Sequence, residues 1–285
     1  MKRAWRWTVA GALVVSGVAA VMVLVGLANV QAMPVVRQAS VKLPSLTAGS
    51  APIRVALLSD IHLGNRGMEP RRLAFIVDQV NALRPDLILI AGDFVTGYDG
   101  QGAAERAADL SMPLSRLRAP LGVLAVFGNH DHWTAPAAIR SALDKAGIAI
   151  LENEAVRRGP LAIVGVGDHF SGRDDLPRAL TEARRVSGVP VVLTHSPSLA
   201  PSLPSGYSLV LAGHTHCGQV VLPLVGPLLN RSPYANWRRL YEPRYRCGLV
   251  RDRGRLTVVT AGAGSGTVPV RFGAVPDWWL LTLHP

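Results

Sequence analysis

Cysteine, charged residues and aromatic residues are all scarce in this chain of 285 residues. Its two cysteines, Cys217 and Cys247, are too few to build a disulfide framework, and the sequence leaves open whether they pair. Charged residues make up only 17% of the chain and hydrophobic residues 49%, so the composition excludes an intrinsically disordered protein. The length is sufficient for one large domain with a sizeable core, or for two small domains.

Acidic residues are outnumbered by lysine and arginine, 19 to 30, which gives a net charge of +11. Such a charge first suggests a nucleic-acid partner. The arginines are scattered over many predicted loops, however, without a sustained basic helix and without interleaved aromatic residues. We therefore do not expect a nucleic-acid partner, because an anionic phosphate substrate or a membrane surface explains the charge equally well.

Charge is absent from residues 7–30, which are rich in valine, alanine and leucine. A helix needs about 20 apolar residues to span a bilayer, and the apolar region of a cleaved signal peptide is usually shorter. We therefore interpret residues 1–31 as an uncleaved transmembrane anchor, with a signal segment as the alternative. Three basic residues precede this run: Lys2, Arg3 and Arg6. The positive-inside rule then predicts a single-pass protein of a bacterial inner membrane whose main domain faces the periplasm or the cell exterior.

Short apolar runs alternate with helical spacing after residue 52. Residues 32–52 contain several prolines and small residues, so we interpret them as a linker, followed by one domain over residues 53–285. The predicted strands cover 53–59, 87–91, 122–127, 161–166, 191–194, 208–212 and 256–261, and the predicted helices 70–83, 103–117 and 135–146, the last with Thr134 as its N-cap. This alternation predicts an α/β fold with a largely parallel sheet at its start and mixed pairing in its second half.

Metal-ligating side chains follow five of the predicted strands. Because ligands of open α/β sheets bind beyond the carboxyl ends of the strands, we expect these side chains to converge. Any one of them alone would be explained as a turn, cap or core residue. Six histidines at strand ends or in their loops are not explained in that way: His62, His130, His132, His195, His214 and His216.

The ligand set is too large for one tetrahedral ion, so we predict two divalent ions that share a carboxylate. Paired ions about 4 Å apart clamp the attacking and leaving oxygens of an in-line displacement and lower the pKa of a bridging water. Imidazole ligands suit Zn, Fe or Mn, whereas oxygen ligands suit Mn or Mg, so the identity of the metals stays open.

These residues resemble the calcineurin-like metallophosphoesterase family, and in particular its membrane-associated bacterial phosphodiesterase branch. The resemblance covers about residues 53–283, and the segments 269–273 and 279–283 also match that branch. The motifs that carry it are Asp60-Ile61-His62, Gly92-Asp93, Gly128-Asn129-His130-Asp131, Thr194-His195 and Gly213-His214-Thr215-His216, in the order typical of the family.

The resemblance implies two packed mixed β-sheets flanked by α-helices, as four layers. It also implies the two sets of metal ligands, which are Asp60, His62, Asp93 and His216 for one ion and Asp93, Asn129, His195 and His214 for the other. His130 is then not a ligand but faces the substrate and donates a proton or a hydrogen bond to the leaving oxygen. Asp131 would orient the His130 ring.

The sequence therefore predicts a metal-dependent phosphoesterase, with a phosphodiesterase favoured, in which a metal-bridging hydroxide attacks phosphorus. The anchor and the basic charge favour an amphipathic, lipid-linked phosphate ester as substrate. One alternative is a pyrophosphatase or lipid phosphoesterase of the UDP-2,3-diacylglucosamine type, whose cytoplasmic reaction conflicts with the predicted topology. A nucleic-acid phosphodiesterase is disfavoured by the membrane span, and a non-catalytic scaffold by the complete ligand set.

Several residues near the motifs have open roles. We expect His132 to lie on the surface, although a substrate contact is the alternative. A substrate role for His169 rests only on the position of its loop. Arg231, Arg238 and Arg239 are interpreted as ligands of a phosphate or as a solvated face near lipid headgroups.

Three tryptophans, Trp237, Trp278 and Trp279, are placed at the membrane interface, with core packing as the alternative for Trp278 and Trp279.

Overall fold

The first sheet combines strands from the N-terminal half of the chain with the last strand. The computed structural model describes residues 2–97, 102–232 and 235–285, beginning with helix α1 (Lys2–Gln31). In spatial order the six strands are β1 (Val35–Lys42), β16 (Asp277–His284), β2 (Ile53–Leu58), β3 (Leu87–Ala91), β4 (Val123–Val126) and β5 (Ala149–Ile150). Strands β2 to β5 are parallel, whereas β16 is antiparallel to β2 and parallel to β1.

Helices cover the outer face of this sheet. They are α2 (Pro70–Ala82), α3 (Ala103–Ala108), α4 (Ser111–Leu114) and α6 (Pro136–Lys145), while the short helix α5 (Asn129–Trp133) follows β4 at the edge of the sheet. The apolar spacing of α2 places Leu73, Ile76, Val77 and Val80 on one buried face, as predicted. These side chains pack against Ile88 and Ile90 of β3 and form the outer core of this layer.

The second sheet also has six strands, which are, in spatial order, β14 (Gly248–Asp252), β15 (Arg255–Val259), β9 (Leu209–Ala212), β8 (Val189–Thr194), β7 (Leu161–Val166) and β6 (Glu154–Arg158). The four central strands are parallel and the two edge strands antiparallel. Helix α7 (Leu176–Arg185) packs on its outer face. The mixed pairing predicted for the second half of the chain is confirmed.

The inner faces of the two sheets pack on each other. Leu57, Leu89 and Val126 of the first sheet share one buried cluster with Ile163 and Leu211 of the second. A buried side chain of this size contributes roughly 1.5–3 kcal/mol by leaving water, so this interface holds the sheets in a fixed relative position. The predicted fold of two packed mixed sheets flanked by helices is therefore confirmed.

The predicted linker over residues 32–52 is wrong for Val35–Lys42. These residues form strand β1, which pairs in parallel with β16 along its whole length. Val41, Leu43 and Leu46 are buried, and Leu43 and Leu46 belong to the core between the sheets. The prolines of this segment lie outside the strand, where they do not interrupt its ladder. The folded domain therefore begins before residue 53.

Two local predictions in the helical layer are also wrong. The single helix expected over 103–117 is two short helices, α3 and α4, and Pro113 lies in the second, where proline supplies no backbone N–H. Thr134 does not cap α6, because its hydroxyl donates instead to the carbonyl of His130.

Two short hairpins follow the histidine loop at 213–219. The first is β10 (Val221–Leu222) with β11 (Gly226–Pro227), and the second is β12 (Arg231–Ser232) with β13 (Arg238–Arg239). A disulfide between Cys217 and Cys247, with 4.7 Å between the Cα atoms, closes a loop around both hairpins. Closing a loop of this length stabilises the fold by about 3–4 kcal/mol in the chain-entropy account. The pairing that the sequence left open is thus present.

Candidate metal centre

The predicted metal ligands lie where the carboxyl ends of both sheets meet. Strands β2, β3, β8 and β9 all end at this edge, and their following loops carry the aspartates and histidines. Backbone strain is concentrated in the same loops. Residues in the left-handed region with φ between 47° and 70° are Asp60, His62, Asp93, His214 and His216. This conformation is unfavourable for side chains other than glycine, and such strain gathers at functional sites.

Two glycines allow the loops to approach each other. A Cβ atom on Gly128 would collide with the Asp93 carboxylate, and one on Gly213 would collide with the Ser59 hydroxyl. These glycines therefore permit side chains from separate strands to lie within a few ångströms of one another.

The first group of donor atoms comprises Asp60 Oδ1, His62 Nε2, Asp93 Oδ2 and His216 Nε2. His62 Nε2 lies 3.2 Å from His216 Nε2 and 3.5 Å from Asp93 Oδ2. His216 Nε2 lies 3.4 Å from Asp60 Oδ1. Ligands held about 2.1 Å from an ion at tetrahedral angles lie about 3.4 Å apart, so these separations suit one shared cation.

The second group comprises Asp93 Oδ2, Asn129 Oδ1, His195 Nε2 and His214 Nδ1. His195 Nε2 is central, at 3.2 Å from each of the other three atoms. The ring of His195 donates through Nδ1 to the carbonyl of Ala91 at 2.5 Å. The ring of His214 donates through Nε2 to the carbonyl of Leu240 at 2.9 Å. These bonds leave the facing nitrogen of each ring available to a cation.

Asp93 connects the two groups through a single oxygen. Its Oδ2 atom faces both donor sets, whereas Oδ1 accepts a hydrogen bond from the backbone N–H of His130 at 2.9 Å. Asp93 thus presents the same oxygen, Oδ2, to the donor atoms of both groups. Asp60 is arranged in the same way, because its Oδ2 accepts from Ser59 and from the backbone N–H of His214. One oxygen of each carboxylate fixes a loop and the other points into the centre.

The chemistry of the donor set fits two divalent cations. Burial lowers the pKa of His62 to about 3 and that of His214 to about 4, and it also lowers the pKa of His216. These rings are therefore neutral at pH 7, as metal ligation requires. In the part of the chain that the structure describes, Asp60 Oδ1 is buried without a hydrogen-bond partner. Lone pairs that face one another in a buried site are unfavourable unless a cation lies between them.

Two of the donor residues, Asp60 and His195, have raised pKa values. Burial raises the pKa of the Asp60 carboxyl to about 7, and the charge of Asp93 contributes to that shift. Burial alone would lower the pKa of His195, but the carboxylate of Asp93 outweighs burial and raises it well above the ordinary value. A cation that binds here must displace these protons.

His130 lies beside the centre, on helix α5. Its ring approaches that of His62 edge-on with 4.8 Å between centroids, and its Nδ1 lies 2.8 Å from the carbonyl oxygen of Gly97. Its nearest ring nitrogen is close enough to His62 and Asp93 for the three to share an ion, so geometry alone does not exclude it as a ligand.

Asp131 does not act as expected. Its carboxylate accepts hydrogen bonds from three backbone N–H groups, those of Gly128 at 2.9 Å and of Asp93 and Phe94 at 2.8 Å each. Burial raises the pKa of this carboxyl to about 7, and the nearby charge of Asp93 adds to the shift. Asp131 thus joins the loop of Asp93 to the loop of Asn129, and the carbonyl of Gly97 contacts the His130 ring instead.

The other two histidines near the motifs lie outside the cluster. His132 was expected on the surface, but its side chain is only 10% exposed and its ring packs edge-on against Phe127. His169 is half-exposed and its Nδ1 lies 2.7 Å from Asp174 Oδ2. Neither ring lines the cavity above the donor atoms.

Arg271 is a site residue whose role the sequence did not reveal. Its side chain is fully buried, and the guanidinium donates to the carbonyls of Ala261 and Gly264 and approaches His216 Nδ1 at 3.0 Å. Burial lowers the pKa of Arg271 to about 10, and the guanidinium still carries its charge at pH 7. The only signal in the sequence is a charged residue inside the otherwise apolar segment 268–272.

The cavity above the donor atoms has a volume of ≈ 260 Å³. Its walls are mainly apolar, and the ring of Phe170 packs against that of His214 with 4.7 Å between centroids. Residues that line the cavity away from the donor atoms include Trp133, Phe170, Leu229, Arg231, Leu240 and Val268. The aromatic and aliphatic walls were not predicted, because they come from loops without a regular pattern.

Comparisons with known proteins identify the family of this chain. The family described as Calcineurin-like phosphoesterase matches residues 53–218, and the chain belongs to that family. An uncharacterized metallophosphoesterase of Helicobacter pylori is 31% identical over 241 residues, which are 82% of this chain and 60% of that protein. A transmembrane protein with metallophosphoesterase domain from Bos taurus is 32% identical over 278 residues, covering 90% of this chain and 59% of its own length.

Among solved structures, a dimetal phosphatase from Danio rerio is similar, with a TM-score of 0.43 and 14% identity, over 77% of this chain and 90% of that one. The present chain spans only about 60% of the length of the Helicobacter and Bos taurus relatives.

Metal binding is expected to weaken as the pH falls. The cation binds the deprotonated forms of Asp60 and His195, and protonation through the raised pKa of Asp60, about 7, removes a ligand. Between pH 8 and pH 6 the apparent affinity for Mn²⁺ should fall by up to about tenfold per pH unit for each proton displaced. Titration calorimetry in buffers of different ionisation enthalpy counts these protons. Equal affinity at both pH values without proton release would contradict the assignment.

Replacement of Arg271 should impair metal retention beyond its effect on folding. Arg271→Gln removes the group that holds His216, and loss of such support typically weakens metal affinity by roughly 10- to 100-fold. Metal content after dialysis, measured by mass spectrometry, is the readout. Arg255→Gln is the matched control, because Arg255 is also buried and donates to backbone carbonyls, but at Ala200, Leu203 and Tyr207. Equal metal retention in the two variants would show that Arg271 is merely structural.

Proposed function

We propose that the protein is a binuclear metal-dependent phosphodiesterase. The observation that carries this proposal is the position of Asp93 Oδ2, within 3.5 Å of donor atoms from two separate ligand groups. One ion would be held by Asp60, His62, Asp93 and His216, and the other by Asp93, Asn129, His195 and His214. When bound, the two cations supply Lewis acidity at phosphorus and activate a water for in-line attack.

The charge of the ligand set favours an anionic substrate. Two carboxylates contribute two negative charges, while the imidazoles and the Asn129 amide contribute none. Two divalent cations would therefore leave a net positive charge of about two at the bottom of a buried cavity. A phosphate ester entering this cavity is attracted to that charge, and its ester substituents contact the walls.

The walls favour a diester over a monoester. A monoester dianion would need several cationic donors around its oxygens, whereas among the described residues that line this cavity Arg231 alone is a lysine or arginine. Much of the remaining wall is apolar and includes Trp133, Phe170, Leu240 and Val268. Apolar walls suit the organic groups on both sides of a phosphodiester. They also support an amphipathic, lipid-linked ester as the substrate class, and for the same reason a lipid pyrophosphatase is the second candidate.

His130 is proposed to assist the leaving group. Its ring lines the cavity next to His62, and the carbonyl of Gly97 fixes the ring by accepting from Nδ1. A proton delivered to the leaving oxygen then compensates the charge that develops as the ester bond breaks. Asp131 positions this residue and Asn129 by holding the intervening backbone.

The loss of kcat on replacing His130 should depend on the leaving group of the substrate. His130→Asn is expected to lower kcat by about 10²–10⁴-fold for a diester with an alkyl leaving group, which needs protonation. The loss should be much smaller for bis(p-nitrophenyl) phosphate, whose phenolate leaves without a proton. Steady-state assays with Mn²⁺-loaded enzyme measure kcat for the alkyl diester and for bis(p-nitrophenyl) phosphate.

His132→Asn is the matched control, because its ring packs on Phe127 outside the cavity, and it should leave both rates unchanged. A His130→Asn enzyme that loses bound metal would identify His130 as a ligand instead. Absence of turnover with each of Mn, Zn, Fe and Mg would count against hydrolysis altogether.

We also propose that α1 anchors the chain in a bacterial inner membrane, with the domain in the periplasm. Residues Val9–Gln31 of α1 are long and apolar enough to cross a bilayer. The Cys217–Cys247 disulfide supports an oxidising compartment, since such bonds are rare where thiols are kept reduced.

The topology is tested by adding protease to intact spheroplasts. The domain should be degraded while a cytoplasmic marker protein survives, because the positive-inside rule leaves only the short N-terminus inside. Protection of the domain until the membrane is lysed would reverse the proposed orientation.

A further inference from the structure

The hairpins beside the metal cavity expose apolar side chains that nothing in the described structure covers. Leu224 at the tip of the first hairpin is fully exposed, and Trp237 in the second is 63% exposed. We refer to five exposed residues of these hairpins as the apolar rim: Leu224, Val225, Leu228, Leu229 and Trp237. An apolar surface grouped beside a functional cavity marks an interaction site rather than ordinary surface variation.

The tip of the first hairpin exposes a leucine in a strained backbone conformation. Leu224 has φ of 64°, in the left-handed region that side chains other than glycine avoid. It lies at the tip of a two-stranded hairpin that has little stability of its own. An apolar phase would leave the steric cost of this φ unchanged, but it would remove the cost of exposing the leucine side chain to water.

The base of the first hairpin is linked to helix α1 through one intervening segment of the chain. At the root of the first hairpin, the backbone N–H of Val221 donates to the carbonyl of Phe272 at 2.7 Å. The preceding residue, Arg271, donates its backbone N–H to Gly26 of α1 at 3.0 Å, and Asn29 of α1 donates to the carbonyl of Arg271 at 3.0 Å. One segment, which contains Arg271 and Phe272, therefore lies between the hairpin and the helix and is hydrogen-bonded to both.

The junction between helix and domain is rigid. Gly26 and Val30 of α1 are buried, and a Cβ atom on Gly26 would collide with Val270. Only three residues separate the end of α1 from the start of β1, and Arg72 donates to the carbonyl of Ala32 between them. The helix thus fixes the orientation of the domain as well as its position.

The charged residues of the second hairpin fit the headgroup layer. Arg231, Arg238 and Arg239 are exposed next to Trp237. Arg231 donates to the backbone carbonyl of Trp237 at 2.9 Å, which holds the guanidinium at the same hairpin as the tryptophan. Tryptophan with neighbouring arginine is the combination that favours the boundary between acyl chains and anionic headgroups.

We propose that the apolar rim docks into the same lipid bilayer that α1 spans, so that the mouth of the cavity lies at the level of the headgroups. Leu229 belongs to both the rim and the cavity wall, and the two surfaces therefore meet. If the proposed phosphodiesterase activity holds, the ester is reached from the membrane surface, but the docking itself requires no reaction.

Lipid-depth quenching tests this proposal with the full chain in nanodiscs of phosphatidylcholine and phosphatidylglycerol. An environment-sensitive NBD fluorophore is attached to Leu224→Cys and, separately, to Trp237→Cys; the native cysteines are paired and do not react. Both rim positions should be quenched severalfold more strongly by spin-labelled lipids with a shallow label than by aqueous iodide.

Two control positions give the quenching expected for a site inside the bilayer and for a site in water. Leu13→Cys lies on the exposed part of α1 and should be quenched by a deep lipid label, whereas Met112→Cys on α4 is 76% exposed and should respond to iodide alone. Rim positions that respond to iodide like Met112 would overturn docking. Rim positions shielded from both quenchers would assign the rim to a protein contact, which also overturns it.

The readout does not depend on the proposed reaction. The same quenching is expected in metal-free protein and in the His130→Asn background, because neither change alters the hairpins. An enzyme that does not hydrolyse diesters but whose rim is quenched by lipid would reject the proposed function and retain the docking surface. An enzyme that hydrolyses diesters but whose rim is not quenched by lipid would reject the docking surface and retain the proposed function.

Discussion

The oxygen of Asp93 that faces both ligand groups is the point on which the metal centre depends. It lies 3.5 Å from His62 Nε2 and 3.2 Å from His195 Nε2, and these histidines follow strands of different sheets. The arrangement exists only because the two sheets pack at a fixed offset through Leu57, Leu89 and Ile163. A shift of one sheet by a single ångström would separate the groups, so the hydrophobic interface determines the electrostatics of the site.

Much of the local structure at this edge is unfavourable without a cation. Strained backbones at the ligand loops, neutral buried imidazoles and a carboxyl of raised pKa all cost free energy. The network around Asp131 and Arg271 offsets part of that cost, because each satisfies several backbone groups of the strained loops. The fold therefore prepares the centre instead of relying on the metal to assemble it, which is the arrangement that favours rapid chemistry.

The sequence predicted the parts of the molecule that have strong local patterns. The buried strands β3 and β7 coincide with the predicted ranges, and α2 differs only at its last residue, since continuous apolar runs and helical spacing are direct signals. The motifs at strand ends also led to residues that the structure brings together. Convergence was predictable because parallel strands end at one edge.

The remaining features depend on contacts between distant residues. Strand β1 reads as a linker because only Val41 of its eight residues is buried, and its partner lies at the other end of the chain. Helix α7 was not predicted, although Leu176, Ala179, Leu180 and Ala183 follow helical spacing; only Ala179 of these is fully buried. The bonds of Asp131 to Phe94 and of Arg271 to His216 are set by loops meeting in space, which spacing along the chain does not encode.

The disulfide ties the histidine loop to a distant part of the chain. Cys217 directly follows His216, and its partner Cys247 lies 30 residues further on. The bond therefore helps to support the loop that carries His214 and His216. In an exported domain, as proposed above, an oxidising compartment would keep this support in place, whereas reduction of the bond would release the loop.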